Sequence, residues 1–334
     1  MNIYSLAKIA NVSPSTVSKV INGKDGVGTE TRNKILKLIE DEGFKPKISS
    51  NSVSNIAVII KRTEVCIFDS EFTAKLLNGI SDYCFENKYN ILLLSLPQIP
   101  RNKKEFNVYC HTQRILGCIF INLSVDDYFI EEISGIVPSV TINAKFSGDN
   151  LYSIMSDDLD GFYQATNYLY KMGHRKIAVA AMNLKFQSQR DKLSGYKKAM
   201  TDLNLGVDDD YIINADGIDK SGLEMAFEHL RNMNKMPTAI MFLNDQEAQR
   251  GSEWLKQMNL SIPDDISVVG YDDYGFSSFM NPPLTTVKQV LYEKGIMAVK
   301  LMGLNKNEIQ HYKGKNDFLF KTDLIIRRSV KKID

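Results

Sequence analysis

Cysteine is scarce in this sequence, and its positions suit neither a metal site nor a disulfide framework. Only four cysteines occur among the 334 residues, and no two of them form a Cys-x-x-Cys pair. The four histidines likewise lack the spacing of metal ligands. We therefore expect neither zinc nor structural disulfides, and we interpret the cysteines as reduced residues in or near a core. They are Cys66, Cys84, Cys110 and Cys118.

Long apolar runs, export signals and catalytic motifs are also missing. No apolar run approaches the roughly 20 residues of a membrane-spanning helix, and the polar N-terminus does not resemble an export signal, which predicts a cytoplasmic protein. There is no nucleophile elbow and no phosphate-binding loop. Acidic pairs such as Asp157-Asp158 fall in predicted turns, where aspartate is favoured by its backbone hydrogen bonds. We expect neither an enzyme nor a bound cofactor.

The first 46 residues have the pattern of a helix-turn-helix. Asn11 can close a first helix, and Ser13 followed by Pro14 can cap and begin a second. A third helix follows between Gly28 and Gly43. Each helix has an apolar stripe at helical spacing, and three helices of this size can share one small core. The stripes are Leu6, Ile9 and Ala10; Val17, Val20 and Ile21; and Ile35, Leu38 and Ile39.

The outer face of the second predicted helix suits contact with DNA. A helix-turn-helix presents the N-terminal end of this helix to the major groove. Small polar side chains there can hydrogen-bond phosphates, and Lys19 can reach a base edge such as guanine O6 or N7. Residues 1–50 carry a net charge of +3 and the rest of the chain −2, so the basic excess lies at this contact. The polar residues are Ser13, Ser15, Thr16, Ser18 and Asn22.

From Ile56 onward, short apolar runs alternate with longer amphipathic segments, which indicates two doubly wound α/β subdomains. A stretch rich in serine and asparagine, residues 47–55, precedes them as a linker. Ligands bind such folds beyond the carboxyl ends of the strands, so a site is expected there. The predicted strands are Ile56–Ile60, Ile91–Leu96, Cys118–Asn122, Val140–Asn143, Ile177–Ala181, Tyr211–Asn214, Ala239–Leu243 and Val268–Tyr271, and the predicted helices include Phe162–Met172 and Gln246–Met258.

Seven motifs follow one another along the chain in a specific order. They are Ile9 to Asn22, Gly173 to Ala178, Arg190 with Gly195-Tyr196, Asn244-Asp245, Ile262 to Asp273, Pro282 to Val287, and Asp323 to Ser329. In this order they resemble the lactose-repressor (LacI/GalR) family of bacterial transcription regulators. The resemblance covers essentially the whole chain.

The resemblance implies a division of the chain into three parts. These are a helix-turn-helix headpiece (1–46), a short linker (47–55) and a periplasmic-binding-protein-like core (56–334). Within the core, the expected subdomains are about 56–154 with 286–313, and about 155–285 with 314–334.

The resemblance also implies a homodimer that binds a two-fold symmetric operator in double-stranded DNA. A small effector, commonly a sugar, is expected between the core subdomains. Effector and DNA then favour different states of one protein, so each changes the affinity for the other. The expected function is repression of a carbohydrate-utilisation operon. In most members the effector releases DNA, and in others a ligand or a partner protein is needed for DNA binding.

Specific site residues follow from the same resemblance. The residues expected to contact bases are Pro14, Ser15 and Lys19. The residues expected to contact phosphates are Tyr4, Ser13, Thr16, Ser18 and Asn22. In the core, Arg190, Asn244 and Asp272 match polar effector ligands, whose side chains can each bridge adjacent hydroxyls of a polyol. An ion pair between Arg190 and Asp272 is the alternative. The rings of Phe72, Tyr274 and Phe276 give either a stacking face for the ligand or ordinary core packing.

The chain departs from the family pattern in two places. Only nine residues, 47–55, separate the headpiece from the first strand, and none is a leucine. We therefore expect a shortened or absent hinge helix, with Ile48 or Val53 as the alternative minor-groove wedge. Gly217 and Leu291 stand where a sugar-stacking ring is expected. A solute-binding protein is the alternative function, against which the attached headpiece and the missing export signal argue.

Overall fold

The computed structural model describes residues 3–21, 26–41, 54–61, 70–182, 184–214, 228–233, 235–302 and 316–334. Some of the predictions concern residues outside these ranges. They are the linker residues 47–53, which include Ile48 and Val53, and the single residues Asn22, Gly43, Cys66 and Gly217. Helices and strands are labelled below in chain order.

Three helices form the N-terminal unit: α1 (Ile3–Ala10), α2 (Pro14–Ile21) and α3 (Thr29–Asp41). Asn11 ends α1 with a left-handed φ of 56°. Ser13 caps α2, because its Oγ accepts a hydrogen bond from the Thr16 N–H at 3.1 Å. The helices share one buried cluster, which confirms the predicted helix-turn-helix. Its members are Leu6, Ala7, Ala10, Val17, Val20, Ile35 and Ile39.

One predicted core residue of this unit is on the surface. Ile9 is 47% exposed, and Ala7 takes its place in the buried cluster. A helix turns by roughly 100° per residue, so Ile9 lies on the outer side of Ala10 while Leu6 and Ala7 face inward. The prediction had placed Ile9 on the buried face of α1, although Ala7 is the residue that lies there.

The first core subdomain is a parallel sheet of six strands covered by helices on both faces. Its strands are β1 (Asn55–Ile60), β2 (Asn90–Ser95), β3 (Ile115–Ile121), β4 (Ser139–Ile142), β5 (Leu151–Ser156) and β11 (Asp317–Phe320), in the spatial order β2-β1-β3-β4-β5-β11. The helices are α4 (Glu71–Glu86), α5 (Lys103–Thr112), α6 (Phe129–Ile133) and α10 (Leu291–Leu301). Central strands such as β1 and β3 are almost wholly apolar because both sheet faces are covered.

The second core subdomain repeats this plan. Its strands are β6 (Ile177–Met182), β7 (Ile212–Asn214), β8 (Ala239–Phe242), β9 (Ser267–Asp272), β10 (Thr285–Lys288) and β12 (Asp323–Ile325), in the order β7-β6-β8-β9-β10-β12. All neighbours are parallel except β10 and β12, which are antiparallel. The labelled helices are α7 (Asp158–Lys171), α8 (Gln187–Asp202) and α9 (Asp245–Gln257). The two sheets confirm the predicted α/β fold class with two doubly wound subdomains.

The chain passes between the subdomains after β5, after β10 and between β11 and β12. Two boundaries therefore differ from those expected at 286 and 314. β10 pairs with β9, with Thr286 opposite Gly270, so the second subdomain extends to Lys288. β11 pairs with β5, with Asp317 opposite Ser153, so the first subdomain includes residues up to Phe320. The subdomain to which a strand belongs is decided by the strand with which it pairs. The local sequence pattern does not show this pairing.

The three cysteines that the structure describes are buried, as expected, and their thiols are free. Cys84 lies on α4, Cys110 on α5 and Cys118 on β3. None of the helices in the described part of the chain has the length and apolar character needed to cross a membrane.

Candidate functional site

A cleft of about 180 Å³ lies between the two core subdomains. Residues at or just beyond the carboxyl ends of strands line it from both sides, which is the position predicted for a ligand site. They are Lys61, Asn122 and Asn143 from the first subdomain, and Asn244 and Asp272 from the second. Carboxamides are frequent in the lining and offer both donors and acceptors. The set is Asn122, Asn143, Gln189, Asn244, Gln246 and Gln289.

Asp272 is the buried carboxylate of this cleft, at the end of β9. Its carboxyl accepts hydrogen bonds from the Gln289 side-chain amide and from the Tyr274 hydroxyl. Gln289 in turn accepts bonds from the Ser156 hydroxyl at 2.5 Å and from Lys294 Nζ at 3.1 Å. The carboxylate is therefore held by Gln289, which lies at a passage between the two subdomains, and by Tyr274, which follows β9.

Lys192 supplies a buried cationic group to the cleft wall. Its Nζ donates to the Leu243 carbonyl oxygen at 2.9 Å and lies 3.8 Å from the centre of the Tyr271 ring. Sequence reasoning missed this residue. The signal that would have found it is helical spacing, because Ser188 and Gln189 also line the cleft and lie four and three residues before Lys192 on α8.

Arg190, which the sequence assigned to the effector, does not line the cleft. Its guanidinium donates to the Leu184 carbonyl oxygen and to Gln187 Oε1, both at 2.6 Å. Nor does Arg190 pair with Asp272, so the alternative of an ion pair across the cleft is not realised either. Residues two apart on a helix do not share a face, and therefore only one of Arg190 and Lys192 can point at the ligand site.

Asn244 lines the cleft and also caps a helix. Its side-chain oxygen accepts a hydrogen bond from the Glu247 N–H at 2.8 Å at the start of α9. Behind it, the Glu247 carboxyl is buried, and one of its oxygens has no hydrogen-bond partner. The cap fixes the position of the carboxamide at the cleft wall.

Burial dominates the electrostatics behind the cleft. Desolvation raises the pKa of the Asp272 carboxyl, against the opposing effects of nearby Lys192 and of its hydrogen bonds. Burial also raises the pKa of the Glu247 carboxyl to about 8 and lowers the pKa of the Lys294 ammonium to about 8. At pH 7 both of these groups hold their proton, so the Glu247 carboxyl is mainly neutral whereas the Lys294 side chain is mainly charged.

Two of the three rings predicted as a stacking face line the cleft. Phe72 is half-buried, and Tyr274 is 4% exposed. Both rings also pack with the hydrophobic cluster of the first subdomain, so the structure shows the predicted core packing, and ligand stacking stays a prediction. Phe276 packs there too but does not line the cleft, and Leu291 is buried in the same cluster.

The N-terminal end of α2 is open for contact with DNA. Ser13, Pro14, Ser15 and Lys19 are exposed, and Thr16 and Ser18 are half-exposed. The Ser13 hydroxyl lies 2.7 Å from that of Ser15 and 2.8 Å from that of Thr16. Tyr4 on α1 is 74% exposed. The described side chains predicted to contact bases and phosphates are thus all exposed or half-exposed, and Asn22 lies outside the described residues.

Comparison with known proteins finds two family models that match this chain. A family model described as bacterial regulatory proteins, lacI family, matches residues 2–47, and one described as a periplasmic binding protein-like domain matches residues 166–330. Catabolite control protein A of Priestia megaterium is 31% identical over 311 residues, which cover 90% of this chain and 91% of that protein. The chain belongs to the LacI family.

Other members of the LacI family have the same extent. The ribose operon repressor of Haemophilus influenzae is 28% identical, with 92% of this chain and 93% of the relative covered. A structure titled transcriptional regulator CelR-cellobiose complex shares the fold with a TM-score of 0.71 at 22% identity, and 98% of this chain and 99% of that one are covered. The relatives are transcriptional regulators and not enzymes, which agrees with the function class expected from the sequence.

Proposed function

We propose that this LacI-family regulator is a homodimeric repressor of a carbohydrate-utilisation operon, with an operator affinity controlled by a sugar-like ligand in the cleft. The cleft itself carries the proposal. It combines one carboxylate, two ammonium groups and several carboxamides, and these come from both subdomains. A ligand that contacts both sides favours one relative arrangement of the subdomains and shifts the population toward it.

The chemistry of the lining suits a ligand rich in hydroxyl groups. Asp272 can accept from two adjacent hydroxyls, Lys192 can donate, and the carboxamides can do both. Phe72 offers an apolar surface to the carbon face of a sugar ring. The cellobiose named in one structural relative and the ribose operon named for a sequence relative support this class of ligand.

The DNA contact is proposed at the exposed end of α2. Pro14, Ser15 and Lys19 face the bases in this proposal, and Pro14 contributes only apolar contact, as with a thymine methyl. Tyr4, Ser13, Thr16, Ser18 and Asn22 face phosphates. In a homodimer two such surfaces meet two half-sites of a symmetric operator, and the ligand changes their relative placement.

The proposal is tested by fluorescence anisotropy with DNA from upstream of the chain's own gene and its neighbours. Salt is held fixed, because salt alone shifts such affinities by orders of magnitude. We expect a Kd of about 10 nM or tighter for one fragment, weakened about 5- to 150-fold by one member of a panel of sugars and sugar phosphates. Lys19→Ala is the control, since loss of a base contact weakens operator binding more than binding to unrelated DNA.

Two outcomes would change this account. Binding that stays weak until a ligand or a protein is added would replace the inducible repressor with a ligand- or partner-dependent regulator. No fragment bound more tightly than unrelated DNA, with or without any of the compounds, would contradict the proposed function.

A further inference from the structure

The loop after β9, residues 273–277, bridges the two subdomains along one rim of the cleft. The second subdomain holds it through Asp245, whose carboxylate accepts the Tyr274 N–H at 2.9 Å and the Ser277 hydroxyl at 2.5 Å. Arg327 fixes the start of the loop, because its guanidinium lies 2.6 Å from the Asp273 carboxylate. The loop therefore has a defined position on its own subdomain.

The first subdomain holds the same loop through the first turn of α4. Glu71 Oε1 accepts a hydrogen bond from the Gly275 N–H at 2.7 Å. Lys75 Nζ donates to the Asp273 carbonyl oxygen at 3.1 Å and lies 3.0 Å from Glu71 Oε1. The Tyr274 ring, between these two bonds in sequence, packs into the hydrophobic cluster of the first subdomain, with Lys75 Nζ 5.6 Å from its centre.

The loop that these contacts hold includes Tyr274, which is bonded to the cleft carboxylate. The Tyr274 hydroxyl donates to Asp272, so whatever fixes Tyr274 also fixes the carboxylate proposed to bind the ligand. A second pair of contacts between the subdomains is looser. There, the Val125 N–H donates to the Lys185 carbonyl oxygen at 3.0 Å, and the Lys185 ammonium lies 3.8 Å from Asp126, with both side chains about two-thirds exposed.

We propose that Glu71 and Lys75 are positioning residues for the ligand site. Together with the backbone of residues 273–275 they form a latch that ties α4 to the loop and holds Tyr274 and Asp272 against the cleft. The proposal rests on the proposed function in that it takes the cleft as the ligand site. The latch itself is a property of the protein without ligand or DNA, so it can be tested separately.

The test is hydrogen–deuterium exchange of the full-length protein without ligand or DNA, followed by mass spectrometry of peptides that cover residues 272–277. Glu71→Ala removes the acceptor for the Gly275 N–H, and we expect exchange of this segment to become about tenfold faster. Glu71→Gln keeps an acceptor oxygen and should restore exchange close to the wild-type rate. Lys75→Met, which loses the bond to Asp273, should also accelerate exchange in this segment.

Asp202→Asn is the matched control. It removes an exposed ion pair with Lys198, also four residues apart on a helix, that lies within one subdomain. We expect it to leave residues 272–277 unchanged. Wild-type exchange in both Glu71→Ala and Lys75→Met would overturn the latch, as would acceleration spread evenly over the whole chain. Neither result bears on whether a sugar controls operator binding, so the two proposals fail separately.

Discussion

The ammonium group of Lys192 lies where a carbonyl oxygen, an aromatic face and the cleft meet. A buried lysine needs such partners, because a charge without them is costly away from water. The nearby Asp272 and Glu247 carboxyls are also buried, and burial raises the pKa of each. The buried Lys192, Asp272 and Glu247 side chains therefore offset one another's cost of burial at the cleft wall.

The buried Glu247 carboxyl should make the free energy of unfolding depend on pH. Its folded-state pKa of about 8 lies above its ordinary value, so between about pH 4.5 and 8 the folded state holds a proton that the unfolded state has lost. The free energy of unfolding therefore falls as pH rises through this range. Glu247→Gln has no proton to lose, so its stability relative to wild type should increase from pH 5 to pH 8, by as much as a few kcal/mol at about 1.4 kcal/mol per pKa unit.

Thermal unfolding of both proteins at pH 5, 6.5 and 8 checks this prediction. Glu253→Gln is the matched control, because Glu253 lies on the same helix but is exposed. Its stability difference from wild type should not change with pH. A constant difference for Glu247→Gln as well would show that the buried carboxyl is ionised in the folded protein throughout.

Four residues of the candidate cleft were predicted from the sequence, and the failure at Arg190 has a clear cause. The resemblance identified Asn244 and Asp272, and the positions of Phe72 and Tyr274 near loop ends identified those two rings. All four follow strand ends or begin helices and so have little freedom of placement. Arg190 lies within α8, where a shift of two residues changes the face of the helix. Chemistry and family motif favoured the arginine, but helical phase put Lys192 at the cleft.

Helices α4 and α10 are in unusually close contact, and this contact positions several groups of the cleft. Glu71 and Lys75 begin α4, while Lys294 lies on α10 and Gln289 just before it. A Cβ atom on Gly79 of α4 would lie 2.0 Å from the Tyr292 carbonyl oxygen of α10. Only glycine allows the two backbones to approach so closely.

Gly79→Ala should therefore force the two helices apart. We expect a loss of about 2–3 kcal/mol in the free energy of unfolding, measured by urea denaturation, because backbone on α10 cannot yield as a side chain would. Gly275→Ala is the control: its Cβ would lie 3.6 Å from Glu71 Oε1, an ordinary contact, and its effect should stay within about 1 kcal/mol. Equal stabilities of the two variants would show that α10 moves at little cost.

Among the secondary-structure elements, the strands with long apolar runs could be predicted from the sequence. The eight predicted strands form, and each carries an unbroken or nearly unbroken apolar run. β5, β10, β11 and β12 were not predicted. β5 and β10 mix hydroxyl-bearing residues with apolar ones, while β11 and β12 are short strands at sheet edges, where one side needs no partner. Their pairing is a long-range property that local pattern does not carry.

For the whole molecule, the two-subdomain plan followed from the sequence, but the passages between the subdomains did not. The third passage, between β11 and β12, takes only two residues, Lys321 and Thr322. The cleft lies beside these passages, and the rim contacts of Glu71 and Lys75 cross it. Because several short connections join two rigid sheets, a ligand between them can change their relative orientation without unfolding either one.

The central claim is that a ligand in this cleft controls operator affinity, and one comparison tests it most directly. Operator Kd is measured at fixed salt with and without the responding sugar for wild type, Lys192→Met and Arg190→Ala. The account predicts that Lys192→Met keeps its operator affinity but loses the roughly 5- to 150-fold response, while Arg190→Ala responds like wild type. A normal response in Lys192→Met together with a lost response in Arg190→Ala would contradict it.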